Sequence, residues 1–501
     1  LAGGGIKSGA DITLSSAISL SALKTSILFA TGTTTLTVNG NITGAGNLVI
    51  ANGATGTVVL GGTNDYTGST SIYAKLKLAN QNALSTSALM IGGSSSVLDI
   101  AGYSISNAIN ESSSGGTIRS SAAGGTITGG VALNANYMTF SAASGASLTI
   151  GTTAITGTGA TALSIGSTTD TGTVTLSVGN TFTGTVSLVK GSLIVTHATG
   201  LGTTDAGTSI ASGATLDLQN VVVGSEALTI SGGTLATSTG TSSLSGTISL
   251  AATGSTFSVT GTNLALSGII SGSNGFTKTG SGTLVLSGSN TYTGSTTISA
   301  GTLKADNPAA LGPSTGAGAV SITSGAVLDL NGQTLTNSGE LTVNGTGVGA
   351  GGALINSSVN PASYAGLIKL GSASSIVGGT GTIAITNAGT ITGATFGLTL
   401  GGAQGGSIAS IIGTTSGGLT KEGAGTWTLL GANTYTGTTL VSEGTLALGA
   451  SNVIANDSAL TINGGTFALD TFSDTVAAVT IGSNGGAITS STGILYGTSY
   501  T

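Results

Sequence analysis

Four segments of the chain repeat one pattern of short strands separated by glycine and asparagine. The two closest copies begin at Gly275 and Gly418 and align without a gap at an offset of 143 residues. Weaker copies begin at Gly56 and Gly172. Within each copy apolar and polar residues alternate over short runs, which is the period of a half-buried β-strand. Since one such unit cannot bury its apolar face alone, the repeat predicts a stack of similar coils.

Each copy carries the motif Asn-x-(Tyr/Phe)-x-Gly between two of its strands. Gly and Asn both tolerate positive φ, so we interpret the recurring glycine as a turn residue that supplies this conformation. The second copy has Phe in place of Tyr, which keeps the ring and loses the hydroxyl, and this favours packing over chemistry. We therefore predict a structural role for the motif residues, which are Asn64, Tyr66, Gly68, Asn180, Phe182, Gly184, Asn290, Tyr292, Gly294, Asn433, Tyr435 and Gly437.

The composition excludes several other architectures. Glycine accounts for 89 of 501 residues and proline for three, without the period of collagen. Only 5% of residues are charged, which leaves too little Glu, Lys and Arg for a helical protein. Gly, Ser or Thr interrupts every apolar run well before about 20 residues, so we expect no membrane insertion of this segment. Ten dispersed basic residues at a net charge of −6 argue against a nucleic-acid partner.

Short strands with Gly and Asn turns would also fit a β-sandwich or a barrel. Two features favour a solenoid instead, namely outward positions occupied by Thr and Ser, and inward side chains of small to medium size that can stack coil upon coil. The spacing of Leu286 and Leu303 predicts a coil of about 17 residues. We predict an all-β parallel β-helix that runs as a single continuous solenoid over residues 1–501 of a longer chain. Its repeat motifs lie near 46–84, 172–202, 275–311 and 418–454.

The repeated string resembles the passenger-associated transport repeat of bacterial autotransporters. The match is close at 275–304 and 418–447 and partial at 172–195 and 56–78. This resemblance implies a right-handed parallel β-helix that is exported to the surface of a Gram-negative bacterium, and a C-terminal β-barrel in the outer membrane that carries it across. Because the sequence resembles neither such a barrel nor a signal peptide, we expect an excised or released passenger, or a secretion apparatus encoded elsewhere.

Few side chains are candidates for chemistry. His197 is the single histidine and falls at a turn position, which favours a solvated residue over a catalytic one. Trp427 aligns with aliphatic residues of the other copies, which favours a core position over an exposed carbohydrate platform. Lys278 and Lys421 correspond to each other but to Asn52 and Thr168 in the weaker copies, and this argues against an essential site.

The acidic residues are scattered. Asp99, Asp217 and Asp329 each follow a leucine, and we interpret them as hydrogen-bonding residues at turns or strand ends in preference to calcium ligands. A polysaccharide-cleaving β-helix would need clustered carboxylates with a basic partner. The chain has one arginine, Arg119, and we expect its acidic side chains to be isolated. We therefore expect no enzyme activity, no cofactor and no metal.

Three hypotheses for function follow. The leading one is a non-catalytic extracellular surface protein, either adhesin-like or structural, whose host, surface or matrix ligand is not identified by the sequence. The alternative is a subunit of a self-assembling extracellular filament, sheath or surface layer, in which copies associate end to end or side by side, because an open solenoid end can pair with another chain. The third is a polysaccharide-active β-helix enzyme.

Overall fold

Short runs of alternating apolar and polar residues, each ended by Gly or Asn, form a series of short strands. The computed structural model describes residues 1–51, 55–112, 115–134, 137–158 and 162–501. The chain divides into two compact units, Leu1–Thr247 and Ile248–Thr501. Within the described residues the one helical element is a single 3₁₀ turn, Val348–Ala350. The prediction of one continuous β-helix over residues 1–501 stays a prediction.

The first unit consists of thirty strands. They are β1 (Gly5–Ser8), β2 (Ile12–Leu14), β3 (Ile18–Leu20), β4 (Thr25–Ala30), β5 (Thr35–Val38), β6 (Ile42–Gly44), β7 (Asn47–Ile50), β8 (Thr57–Leu60), β9 (Thr70–Ile72), β10 (Lys75–Leu78), β11 (Leu89–Ile91), β12 (Val97–Asp99), β13 (Ser104–Ile105), β14 (Ile109–Glu111), β15 (Gly116–Ser120), β16 (Gly125–Ile127), β17 (Val131–Leu133), β18 (Tyr137–Ala142), β19 (Ser147–Ile150), β20 (Ile155–Gly157), β21 (Ala162–Ile165), β22 (Thr173–Leu176), β23 (Val186–Leu188), β24 (Gly191–Val195), β25 (Thr208–Ala211), β26 (Ala214–Leu218), β27 (Val222–Val223), β28 (Leu228–Ser231), β29 (Thr234–Thr237) and β30 (Thr241–Leu244).

The second unit contains twenty-nine strands and the 3₁₀ turn. The strands are β31 (Ile248–Ala252), β32 (Ser255–Val259), β33 (Asn263–Leu266), β34 (Ile270–Ser271), β35 (Phe276–Thr279), β36 (Thr283–Leu286), β37 (Thr296–Ile298), β38 (Gly301–Ala305), β39 (Val320–Ile322), β40 (Ala326–Asp329), β41 (Thr334–Leu335), β42 (Leu341–Gly345), β43 (Leu354–Asn356), β44 (Ala362–Tyr364), β45 (Ile368–Gly378), β46 (Ile383–Ile385), β47 (Thr390–Ile391), β48 (Leu398–Gly401), β49 (Gly405–Ile408), β50 (Ile411–Ile412), β51 (Leu419–Lys421), β52 (Thr426–Leu429), β53 (Thr439–Val441), β54 (Thr445–Leu448), β55 (Leu460–Ile462), β56 (Thr466–Asp470), β57 (Asp474–Ile481), β58 (Ala487–Ser490) and β59 (Leu495–Tyr500).

The strands of the first unit stack in parallel ladders that follow the chain coil by coil. One sheet has the order β1-β4-β7-β9-β11-β14-β17-β20, and a second contains β2-β5-β8-β10-β12-β15-β18-β21-β23-β25-β28. A third runs β13-β16-β19-β22-β24-β26-β29. From β1 to β26, consecutive strands enter different sheets, because a parallel neighbour can be reached only by travelling around a full coil.

The second unit repeats this arrangement. Its longest ladder runs β32-β35-β37-β39-β42-β45-β48-β51-β53-β55-β57-β59, and a further sheet has the order β41-β44-β46-β49-β52-β54-β56-β58. In the best-matched copy, Leu284 pairs in parallel with Leu303, which lies 19 residues further on. The predicted partner of Leu303, Leu286, pairs with Ala305 instead. The coil is therefore two residues longer than predicted, and the predicted all-β parallel solenoid is confirmed.

The core of each unit is a column of stacked inward side chains. In the second sheet of the first unit, in-register partners continue through ten coils, and every member is at most 2% exposed. Burial of one such side chain contributes about 1.5–3 kcal/mol, so the column stabilises every coil through which it passes. Its members are Leu36, Val58, Leu76, Leu98, Ile118, Phe140, Ile165, Leu188, Ile210 and Ile230.

Candidate functional site

The asparagine of the repeat motif joins three successive coils. Asn290 accepts a hydrogen bond on Oδ1 from the backbone N–H of Ile270 (2.8 Å) and donates from Nδ2 to the carbonyl of Ala310 (2.7 Å). Ile270 begins β34 and Ala310 lies in a turn, and both backbone groups are satisfied by this side chain in place of a ladder partner. The same pair of contacts, to residues one coil earlier and one coil later, is made by Asn64, Asn180 and Asn433.

The aromatic residue of the motif fills the space beside the next strand. The hydroxyl of Tyr292 is hydrogen-bonded to Oγ1 of Thr296 at 2.8 Å, and Tyr66 and Tyr435 make the same contact with the threonine four residues on. In the remaining copy this pair is replaced by Phe182 and Val186, and both are buried. Hydroxyl and partner are thus present together or missing together, which avoids an unpaired buried polar group. Burial raises the pKa of the Tyr292 hydroxyl, so the ring stays neutral.

Replacing Tyr292 by Phe leaves the buried Thr296 hydroxyl without this partner. We expect Tyr292→Phe to lower the free energy of unfolding by about 1 kcal/mol, the usual cost of such a loss. The double variant Tyr292→Phe/Thr296→Val recreates the Phe182–Val186 arrangement and should recover most of that loss. A double-mutant cycle measured by denaturant unfolding checks this, and purely additive effects would contradict the pairing.

The motif glycines are required by close approach of the backbone. A Cβ on Gly68 would lie 2.1 Å from the carbonyl oxygen of Gly46, and one on Gly294 would lie 2.0 Å from the nitrogen of Gly275. Neither these two nor Gly184 or Gly437 has a positive φ. The interpretation of these glycines as positive-φ turn residues is therefore wrong. At Gly68, Gly294 and Gly437 the role of glycine is to let one coil pass against the preceding one, where a Cβ would meet backbone atoms.

Lys278 and Lys421 point into the solenoid, although lysine is almost always an outward residue. Lys278 pairs in register with Phe257 and Ile298, and it is 0% exposed. Its ammonium donates to three backbone carbonyls, those of Thr279 at the end of β35 (2.9 Å) and of Gly280 (2.7 Å) and Ala300 (2.9 Å) in turns. Burial lowers the pKa of Lys278 to about 8.

Lys421 occupies the same place in the last copy of the repeat. It donates to the carbonyls of Glu422, Gly423 and Glu443, and burial lowers its pKa to about 8 as well. Each lysine thus connects two adjacent coils through hydrogen bonds from its ammonium inside the solenoid. The counterpart of these lysines in the first copy, Asn52, lies outside the described residues.

The three aspartates that follow leucine act at turns. Asp329 accepts on Oδ1 from the backbone N–H groups of Asn331 and Ser357, and on Oδ2 from the Ser357 hydroxyl. Asp217 accepts from the backbone and side chain of Ser238, one coil further along. These oxygens satisfy turn donors, as the sequence pattern indicates. Among the described residues, no group of three or more acidic, histidine or cysteine side chains is placed to hold a metal ion.

The other candidates for chemistry lie apart from one another in the sequence and in the ladders. His197 is exposed at a turn, where its Nδ1 lies 3.3 Å from the backbone nitrogen of Thr199. Trp427 is 0% exposed and donates from Nε1 to the carbonyl of Gly401 at 2.9 Å. The alternative of Trp427 as an exposed carbohydrate platform is therefore wrong.

The prediction that acidic side chains are isolated is wrong at Arg119. Nη1 of Arg119 binds Oδ2 of Asp99 at 2.9 Å, and its Nε binds Oδ2 of Asp170 at 2.8 Å. Ser141 donates a further hydrogen bond to Asp170. Asp99 and Asp170 are 20 and 51 positions from Arg119 in sequence. Their contact with Arg119 depends on the register of the coils, which cannot be derived from the sequence spacing.

Glu226 is a second buried acid that the sequence did not single out. Its Oε1 accepts from the Thr208 hydroxyl at 2.7 Å. Burial, only partly offset by this hydrogen bond, raises the pKa of Glu226 to about 7.

The folded pKa of Glu226 lies above its usual value, so its contribution favours the fold below about pH 4.5 and is lost as pH rises through about 7. We expect Glu226→Gln to remove this loss, because the amide oxygen can still accept from Thr208. The variant should be more stable than the parent chain by on the order of 1–2 kcal/mol well above pH 7, and no more stable below pH 4.5. Thermal unfolding at the two pH values measures the difference, and an equal effect at both would contradict this assignment.

Comparison with known proteins agrees with the geometry of the coils. The family described as Passenger-associated-transport-repeat matches residues 53–74, 167–195, 276–305 and 419–448. These segments contain all the motif residues placed above. No solved structure matches the chain.

One curated relative is informative. The chain is 35% identical over 278 residues to the protein named Adhesin BmaC autotransporter from Brucella suis biovar 1 (strain 1330). The match covers 54% of this chain but only 6% of that relative. In the described part of the chain, no helix has the length and apolar character to span a membrane. Four transport repeats, together with this relative, support an autotransporter passenger domain built as a parallel β-solenoid.

Proposed function

We propose that the chain is a non-catalytic, adhesin-like part of an autotransporter passenger, displayed outside a Gram-negative bacterium. The observation that carries the proposal is the set of four transport repeats, each built into a coil by the same asparagine contacts. The relative that shares its sequence over 278 residues is itself named an adhesin.

The hydrogen bonds of the buried polar side chains support a structural role for these groups in place of a catalytic one. The motif asparagines, Lys278, Lys421 and the turn aspartates are each hydrogen-bonded to backbone or side-chain groups of neighbouring coils. A catalytic acid or base must instead reach a substrate proton. Many outward strand positions carry Ser or Thr, and their hydroxyls offer a surface for contact with a ligand.

Display and adhesion are tested separately on bacteria that produce the complete protein. An epitope tag inserted beside Val359, which is 79% exposed, should be accessible to antibody on intact cells. Deleting residues 1–501 in frame should reduce adherence to epithelial cells and to matrix-coated surfaces. An inaccessible tag would overturn surface display, and unchanged adherence would overturn the adhesive role. Fibres seen by electron microscopy, lost on the same deletion, would favour the filament hypothesis.

A further inference from the structure

The second sheet of the first unit gathers charged side chains that are scarce elsewhere. On its outer surface Lys77 pairs in register with Asp99, and Asp99 with Arg119. Lys75 lies in the neighbouring row on the same strand as Lys77, and both lysines are exposed. We call this surface the Arg119 face, defined by Lys75, Lys77, Asp99, Thr117, Arg119, Tyr137, Thr139, Ser141, Ser164 and Asp170.

The guanidinium of Arg119 is held in one orientation. Asp99 and Asp170 bind Nη1 and Nε, and Asp99 is itself fixed by the backbone N–H groups of Ala101 and Ser121. Within the described residues, Nη2 of Arg119 has no hydrogen-bond acceptor in the chain, and the side chain is 29% exposed. An arginine fixed through two of its nitrogens and free at the third can bind a ligand carboxylate through Nη2 without first losing side-chain freedom.

Two adjoining grooves meet at Arg119. One has a volume of about 470 Å³ and is lined by hydroxyl side chains, including Thr117, Thr139 and Ser164. The other, of about 260 Å³, is bordered by Lys75 and Lys77. Thr117, Thr139 and Ser164 pair in register on consecutive coils, so they form a row of hydroxyls across the strands at intervals of about 4.8 Å.

An aromatic side chain stands on the same surface. Tyr137 is 42% exposed and lies two residues before Thr139 on one strand, so both project outward. A Cβ on Gly115 would be 3.3 Å from Cζ of Tyr137, so the ring rests over a glycine backbone. A partly exposed ring next to rows of hydroxyls is suited to stack on the apolar face of a sugar.

The charges on this surface select among ligands. Three cations, Lys75, Lys77 and Arg119, face two carboxylates, Asp99 and Asp170, so this surface is positive in a chain of net charge −6. Such a local excess attracts anions. The row of hydroxyls in the larger groove favours a saccharide over a peptide side chain.

We propose that the Arg119 face binds an acidic polysaccharide, an inference that rests on the proposed adhesive function and gives it a ligand class. Nη2 of Arg119 and the two lysines bind carboxylates, the row of hydroxyls bonds to sugar hydroxyls, and Tyr137 stacks on a ring. The two adjoining grooves together cross several coils, so they can hold successive sugar units of one polysaccharide chain.

Binding is measured with the full chain and sodium polygalacturonate, with its methyl ester as the neutral counterpart. We expect binding to the acid that weakens with added salt, and little binding to the ester. Lys75→Gln/Lys77→Gln and Tyr137→Ala leave the Arg119 ion pairs intact, and each should weaken binding about tenfold, the effect of losing one or two good contacts. Lys369→Gln, an exposed lysine of the second unit, is the matched control and should bind like the parent chain.

Arg119→Lys keeps the charge but loses the planar fork, and it should bind at least as weakly as the double lysine variant. Equal binding of the acid and its ester would overturn the proposal, as would normal binding by both the lysine and tyrosine variants. Dextran sulfate binding that is insensitive to Tyr137→Ala would identify mere polyanion adsorption, which also overturns it. If adherence of cells persists while polygalacturonate fails to bind, the adhesive function stands and this site does not. Shortening of the polymer would instead overturn the non-catalytic role.

Discussion

Gly68→Ala should lower the free energy of unfolding of the first unit by about 3 kcal/mol or more, a large effect for one methyl group. The new Cβ would lie 2.1 Å from the carbonyl oxygen and 2.5 Å from the carbonyl carbon of Gly46. Both neighbours are backbone atoms of the preceding coil and cannot move aside as a flexible side chain would. The coils must separate locally, which weakens the parallel ladder on either side.

Gly224→Ala is the matched control for this substitution. Gly224 lies in the same unit, has no positive φ, and a Cβ there meets no atom within 4 Å. We expect its unfolding free energy to stay within about 1 kcal/mol of the parent chain, with any change arising from the unfolded state. Denaturant unfolding followed by circular dichroism compares the two variants. Similar stabilities would show that glycine at position 68 is not required by coil contact.

The predicted fold rests on strand alternation and on the alignment of the repeats, and both are local features that a sequence displays directly. The register within a coil is less accessible, because turns of variable length set it. For this reason the sequence spacing predicts Leu286 as the partner of Leu303, whereas in the structure the partner is Leu284. The motif glycines were located correctly but for the wrong reason, since contact between coils cannot be distinguished from positive φ by residue type alone.

The contacts of the charged side chains were also not predicted from the sequence. Lys278 lies two residues after Phe276, so strand alternation places both on the inner face. The sequence did not predict the three backbone carbonyls that replace water around the ammonium of Lys278. Arg119 meets Asp99 and Asp170 only after the coils are stacked in register. Contacts across coils of unequal length are therefore the part of the candidate site that this sequence alone did not reveal.

Lys278→Met should destabilise the second unit by about 2–5 kcal/mol near neutral pH, because the thioether fills the core position but leaves three backbone carbonyls without their donor. Lys304→Met, at a half-buried outward position in the same unit, is the control and should change stability by less than about 1 kcal/mol. Hydrogen exchange should show faster opening of the turns at Gly280 and Ala300 in Lys278→Met alone.

The pH dependence of stability gives an independent test of the same buried lysine. The pKa of Lys278 is about 8 in the folded chain, against an ordinary value of 10.5. Between these pH values the unfolded chain binds more protons, so the free energy of unfolding should rise with pH across this window. Below about pH 8 both states hold the proton, and the contribution is absent. The parent chain should therefore gain stability relative to Lys278→Met as pH rises from 8 to 10.5, and a constant difference would show that burial does not disfavour the charged amine.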